Sequence, residues 1–335
     1  MMDLRSTALR AVSGTLYHSG LLGPVTRAVT YTRSRPRLPI LTFHRVNDDH
    51  DPFMPSLPTA VFAGRMAHIA RHYQVLPVEE LALRLRQGRA PRNGLALTFD
   101  DGYRDNLTHV APILKRLGLP ATIFLVTGYI GTPNALWFDR VAMAFKIATA
   151  RRVVVGHGRM LPLGTVRERL LALDAALAHL KLVPDEDRLP AVDHLISALH
   201  PGAPERPKRL MLSWDEVGAL RGLGFSIGAH TVTHPVLSRL APARAWEEIQ
   251  GSKAAIEKAL GEPVSAFAYP NGGVGDYNDT VKELVRAAGF SCAVTTRRGL
   301  NDSDTPALEL RRGGPWELHL PTYALKLAYY SATGA

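Results

Sequence analysis

The chain has 335 residues, of which 46% are hydrophobic and 21% charged, with a formal net charge of +10. That length holds one large domain or two small ones with a full core, and no run approaches the roughly 18 apolar residues of a membrane span. The single cysteine, Cys292, excludes an intrachain disulfide and, set in the apolar run Phe290–Val294, reads as buried filler. The basic residues are scattered and not interleaved with aromatics, which argues against nucleic acid as a partner. Their clusters, at Arg33, Arg35 and Arg37, at Arg297 and Arg298, and at Arg311 and Arg312, read as solvated surface; anionic lipid heads or an acidic glycan are the sharper alternative.

In chain order, residues 3–19 carry Leu9, Val12 and Leu16 at helical spacing. Gly20–Pro24 breaks that helix, and a second short helix is predicted to continue to about Tyr31. The basic segment 1–37 is separable from the rest of the chain; it is expected either to pack on the outside of the main domain or to lie on a membrane surface. From residue 38 the pattern changes. Strands are predicted at Leu38–Phe43, Leu95–Phe99, Ala121–Val126, Phe225–Gly228, Ala266–Ala268 and Ser291–Thr295, with helices at 106–117, 242–260 and 280–288. Pro242 opens one of these helices and Gly289 caps another. Alternating strands and helices imply an α/β domain with a parallel sheet and helices outside, open or closed into a barrel. Residues 134–210 depart from the alternation: helices at 136–149 and 167–181, then a proline-rich stretch, read as an insertion of helices and loops that could shape a substrate site.

Chemistry concentrates at two strand ends. Leu97-Thr98-Phe99 runs into Asp100-Asp101-Gly102-Tyr103, and the strand ending at Gly228 runs into His230-Thr231-Val232-Thr233-His234. Two neutral imidazoles and one carboxylate suit a divalent metal with a position left for water. The other carboxylate is then free to accept a proton, and adjacent residues on an extended strand point to opposite sides. Asp-Asp-Gly alone could be a plain turn; the apolar run before it and the helix behind it favour a loop at the C-terminal sheet edge, where such barrels hold their sites. The β-branched residues between the histidines, with Pro235 after them, argue for a loop rather than a helical ligand pair.

These two segments resemble the first two motifs of the polysaccharide deacetylase family, carbohydrate esterase family 4, and Phe267-Ala268-Tyr269-Pro270-Asn271-Gly272 resembles its third. The resemblance covers roughly residues 38–320 apart from the insertion, and is nearest to the poly-N-acetylglucosamine deacetylase branch. It implies a distorted (β/α) barrel over 38–335. It further implies Asp101, His230 and His234 as ligands of a metal, zinc before cobalt or nickel, and Asp100 as general base. Tyr269, Pro270 and Asn271 would line the groove, with the Asn271 backbone N–H as an oxyanion donor. The chain departs from the family pattern at two places. The family's third motif begins with an arginine that steadies the base, and Ala268 stands there, so either Asp100 has another partner, Arg311 or Arg312 first, or it is held by hydrogen bonds alone. The family's acid histidine lies near the C-terminus, where His319 is a candidate, but His44 in Thr42-Phe43-His44 resembles the acid motif of the poly-N-acetylglucosamine branch and is preferred. Trp214 reads first as a helix start, with Ser213 and Glu216 forming a capping box, and only second as a sugar platform. Tyr103, Trp137 and Trp316 could stack on pyranose rings, though core packing explains each alone.

The expected activity is metal-dependent removal of N-acetyl groups from a polysaccharide, oligosaccharide or lipid-linked glycan. A deformylase or other amidohydrolase on the same scaffold, or less readily a non-catalytic glycan binder, is the alternative. The absence of an evident export signal leads to an expected cytoplasmic location, peripheral at the inner membrane face through residues 1–37.

Overall fold

The structure is a computed structural model that describes residues 4–24, 35–156, 158–202 and 209–334. One parallel sheet organises it: β1 (Ile40–Phe43), β3 (Gly94–Phe99), β4 (Thr122–Leu125), β7 (Ser226–Ala229), β8 (Ala266–Ala268) and β9 (Cys292–Val294) lie side by side, and β2 (Gln74–Val75) pairs the start of β3. All six strands read from the sequence are in it. Every residue of β3 and β4 is buried, which explains their unbroken apolar runs: each strand has core on one face and helices on the other.

The sheet curls into a barrel that lacks a regular strand between β9 and β1. An extended segment spans the gap. Leu310 N–H donates to the Ala293 carbonyl (2.9 Å), Thr295 N–H to that of Leu310 (2.8 Å), and Gly313 N–H to that of Ile40 (3.0 Å). Extended backbone alternates its side chains, so within this segment Arg311 is exposed and Arg312 is buried.

The outer helices are α2 (Thr59–His72), α3 (Val78–Arg86), α4 (Ala111–Leu117), α8 (Trp214–Gly222), α9 (Pro242–Leu260), α10 (Asp279–Ala287) and α11 (Leu320–Thr333), with a π-helical turn, Asn106–Val110, leading into α4. The helices α2, α3 and α11 were not read from the sequence. Helix α1 (Leu4–His18) packs along α11, with a buried hydroxyl pair Ser13–Thr322 at 3.0 Å. The second N-terminal helix, predicted to about Tyr31, lies largely outside the described residues. Among the described residues no helix is long and apolar enough to cross a membrane.

The insertion carries its own apolar core and corrects the expectation of helices and loops alone. Between α5 (Trp137–Lys146) and α6 (Val166–Leu180) stands an antiparallel hairpin, β5 (Arg152–Val155) with β6 (Arg159–Pro162). The proline-rich stretch holds α7 (Asp185–Ala198) despite Pro190 inside it. Three acids in its first turn complement the helix dipole, and Val192 and Leu195 are buried, which outweighs the backbone bond that Pro190 removes.

Candidate active site

The site lies at the C-terminal edge of the sheet, where the residue following each strand projects from the barrel. His44 follows β1, Asp100 follows β3, His230 follows β7 and Tyr269 follows β8. Backbone bonds hold these exits in register: Asp100 N–H to the Phe43 carbonyl (2.9 Å), His230 N–H to that of Leu125 (2.9 Å) and Tyr269 N–H to that of Val294 (3.1 Å).

Past those points the chain leaves strand geometry abruptly. Asp101, Thr231, His234 and Asn271 all have left-handed backbone, at φ 75°, 67°, 64° and 60°. Such conformations are uncommon for residues with a side chain and cluster where surrounding structure imposes them. The two acids are therefore separated by a turn at Asp101 rather than by strand pleat, as the sequence had suggested. Gly102, at φ 82°, completes that turn; a Cβ there would stand 2.9 Å from both Ile130 Cδ1 and Leu125 Cδ2.

Asp101, His230 and His234 are buried, and one ligand atom from each lies within 4.8 Å of the others. Both imidazole Nε2 atoms stand 3.7 Å from Asp101 Oδ1. His230 Nδ1 lies 2.7 Å from the Ala268 carbonyl, so it carries the proton and Nε2 keeps its lone pair. Burial pushes the imidazoles down, His230 to about 4 and His234 well below its ordinary value, so both are neutral at pH 7. Burial and the Asp100 charge push Asp101 well above the usual carboxylate range, and its Oδ1 is buried without a hydrogen bond. An orphaned carboxylate oxygen facing two neutral nitrogens is a set that a divalent cation satisfies.

The loop between the histidines is held from below. Glu248, fully buried on α9, accepts from the backbone N–H groups of Val232 and Thr233 and from Thr233 Oγ1, each at 2.8 Å. Its charge is balanced by Arg244 at 2.6 Å. Gly128 receives the same loop from the other side: its N–H donates to the Val232 carbonyl at 2.8 Å, and a Cβ would stand 2.6 Å from that oxygen. Glu248 was missed in the sequence. Its signal was a charge on the apolar face of α9, three residues from Ala245 and four from Ser252, both buried.

Arg312 takes the place left open by Ala268. Its guanidinium grips Asp100 bidentately, with both N···O distances 2.7 Å, and donates from Nε to the Thr295 carbonyl (2.8 Å) and from Nη1 to Thr98 Oγ1 (3.2 Å). Burial alone would raise the Asp100 carboxyl, but the Arg312 charge and its hydrogen bonds outweigh this and hold Asp100 well below the usual carboxylate range. Arg311 points away and takes no part.

His44 Nε2 stands 3.9 Å from Asp100 Oδ2, and about half of its side chain is open to the cleft mouth, 51%. The protein packed around the ring lowers its pKa, and the Asp100 charge counters this in part. His319 sits instead at the start of α11, with Nδ1 2.9 Å from Thr322 Oγ1, and does not line the cleft. Trp214 is likewise away from it, behind the Ser213–Glu216 capping box that the sequence suggested. Tyr269 lines the cleft, stacked on Tyr277 with ring centroids 4.4 Å apart, while buried Pro270 precedes Asn271 at the cleft wall. Trp137 is buried in the insertion core and Trp316 is exposed outside the cleft.

The cleft encloses about 320 Å3 and is walled on its far side by the insertion and the loop after β1. Asp139, from α5, was not anticipated. It is buried, accepts from Tyr103 Oη at 3.0 Å, and is pushed by burial up to about 7. Its place in the first turn of an amphipathic helix reads in sequence as ordinary dipole compensation.

A parallel barrel with a buried Asp-His-His set that could hold a metal ion, an ionised carboxylate beside it and an imidazole at the mouth has the layout of a hydrolase site. Comparison carries this to a family. Residues 87–293 match the family model described as polysaccharide deacetylase, and the chain belongs to that family. Its relatives include the Bacillus subtilis protein YxkH, provisionally named a polysaccharide deacetylase, 23% identical over 289 residues (86% of this chain, 74% of that protein). The poly-β-1,6-N-acetyl-D-glucosamine N-deacetylase of Staphylococcus aureus is 26% identical over 88 residues, 26% of this chain and 30% of that protein. The solved structure of the Streptococcus pyogenes deacetylase PplD in complex with acetate shares the fold at TM-score 0.56 and 20% identity, covering 83% of this chain and 92% of that one.

Proposed function

We propose that this protein is a metal-dependent N-deacetylase of amino sugars in a glycan, with Asp100 as general base and His44 as general acid. The observation that carries the reading is the pairing of two differently tuned carboxylates. Asp101 is buried with an orphaned oxygen facing two neutral imidazoles, and Asp100 is kept ionised by Arg312. Relationship to an N-acetylglucosamine polymer deacetylase supports the substrate class.

The residues that would hold the cation are Asp101, His230 and His234, a donor set that zinc, cobalt and nickel all accept. Such a cation lowers the pKa of a bound water toward neutrality and polarises the acyl carbonyl. Asp100, with lone pairs left beyond those given to Arg312, takes the proton from the attacking water. Because Arg312 bonds both its oxygens, Asp100 cannot swing away from that position. The Asn271 backbone N–H, turned by its left-handed φ of 60°, serves as an oxyanion donor at the cleft wall. His44 gives its proton to the departing nitrogen, which must leave as an amine.

The test is acetate release from N-acetylated amino-sugar oligomers of several linkages, using protein of measured metal content before and after chelation. Chelator-sensitive release restored by added metal is expected. Metal-loaded protein that releases no acetate from any of them would overturn the reading.

A further inference from the structure

We propose that the far half of the cleft binds an apolar chain carried by the substrate, so that this site works on an amphiphilic N-acyl amino sugar rather than on the interior of a bare polysaccharide. The inference rests on the deacetylase reading above and specifies its substrate class.

The cleft changes character along its length. Next to Asp101 and the histidines it is charged and buried. Beyond Phe138, whose ring meets His234 edge-on at 5.3 Å, the wall is Phe53, Met54, Ala142 and Leu177, and exposed Lys181 stands at the rim. Phe53 and Ala142 belong to the insertion's core, and core packing accounts for them. Met54, Phe138 and Leu177 pack against that core with part of their surface only; they stay partly buried, and the apolar surface the core leaves uncovered lines the cavity. That surface lies inside the same cavity as the catalytic groups, so its occupant is part of the substrate.

Two of the polar side chains that line this part of the cleft are paired within the protein. Tyr103 bonds Asp139, and Arg45 pairs with Asp105 at 3.4 Å. A second pyranose placed against Met54 and Leu177 would lose water from its hydroxyls and find few partners. A hydrocarbon chain would gain from the same contact. The apolar wall is also braced as a unit: Phe53 packs into the insertion core, and Lys146 Nζ pairs with Asp51 at 2.8 Å, tying the loop after β1 to α5.

An apolar chain can reach this compartment from either of two places, a longer N-acyl group or a hydrophobic aglycone. The experiment separates them. Metal-loaded full-length protein is given two series: methyl glycosides of one amino sugar with N-acyl groups from acetyl to hexanoyl, and alkyl glycosides of its N-acetyl form from methyl to octyl. The expected result is kcat/KM rising roughly two- to fourfold per methylene in one series. Leu177→Gln on α6 and Met54→Gln in the loop after β1 should each flatten that slope, and two variants on different elements guard against one that fails to fold. The series that rises identifies the source. Slopes flat or falling in both series, with N-acetyl oligosaccharides still hydrolysed, overturn the inference and leave the deacetylase reading standing. Slopes that both folded variants retain also overturn it. Failure to hydrolyse any N-acyl sugar overturns both.

Discussion

Asp100 sits under opposed demands. A buried carboxylate tends toward the neutral form, whereas the general base proposed for this position must be ionised before the substrate arrives. Arg312 resolves this with charge and with a planar fork that matches the carboxylate, a geometry lysine cannot reproduce. In Arg312→Met, burial still acts on Asp100 and the opposing charge is gone, so its pKa rises. The acid limb of the kcat/KM profile should therefore move to higher pH, and kcat should fall on the order of 10²-fold with bound metal unchanged. Arg311→Met, on the exposed side of the same segment, should change neither. An acid limb that stays put in Arg312→Met would show that another group tunes the base. The sequence could offer these two arginines only as a pair. The alternation that buries one of them is set by the partners of Leu310 on β9 and of Gly313 on β1, the latter far away in the chain. Asp100, Asp101, His230 and His234 were legible because each pair is local and ends an apolar run; Asp139 was not, because its partner Tyr103 comes from another strand end.

At the level of elements, α9 is a helix whose buried face presents a charge to a loop. The three hydrogen bonds that Glu248 accepts fix residues 232–233, and so fix where the two imidazoles on either side can point. Supporting groups of this kind commonly change metal affinity by 10- to 100-fold when removed. Glu248→Ala should weaken zinc binding by about that range, measured by competition with a chromogenic chelator, with near-wild-type helix content. Glu248→Gln, which keeps one acceptor oxygen, should fall between the two. Equal zinc affinity in all three proteins would reduce Glu248 to a packing role. The strands of this barrel were legible because buried parallel strands are short, apolar and sharply bounded. The helices α2 and α11 were not read, since each is interrupted in character by buried polar groups such as Arg65, His68 and Thr322 whose partners lie on other elements.

At the scale of the molecule, those groups form the seam on which α1, α2 and α11 meet. Arg65 lies over the Tyr323 ring at 4.4 Å and donates to the Glu317 carbonyl at 2.6 Å. His68, 5% exposed, packs near Tyr17 of α1 at 5.7 Å and His72 at 4.5 Å. Burial lowers the His68 pKa to about 4, with His72 and Arg71 adding to the effect. In the unfolded chain the same imidazole titrates near 6.5. Between those values the unfolded state binds the extra proton and the folded state does not, so stability falls as pH drops from about 6.5 toward 4. The loss carried by this one group is on the order of 3 kcal/mol. His68→Leu removes the titration and should flatten the acid side of the curve of melting temperature against pH. The two buried histidines of the proposed metal site, His230 and His234, are shifted in the same direction, so the comparison is the difference between the two proteins at each pH, with the metal content matched. A difference that does not grow below pH 6.5 would place the acid sensitivity elsewhere and leave the seam held by its apolar contacts and by Arg65.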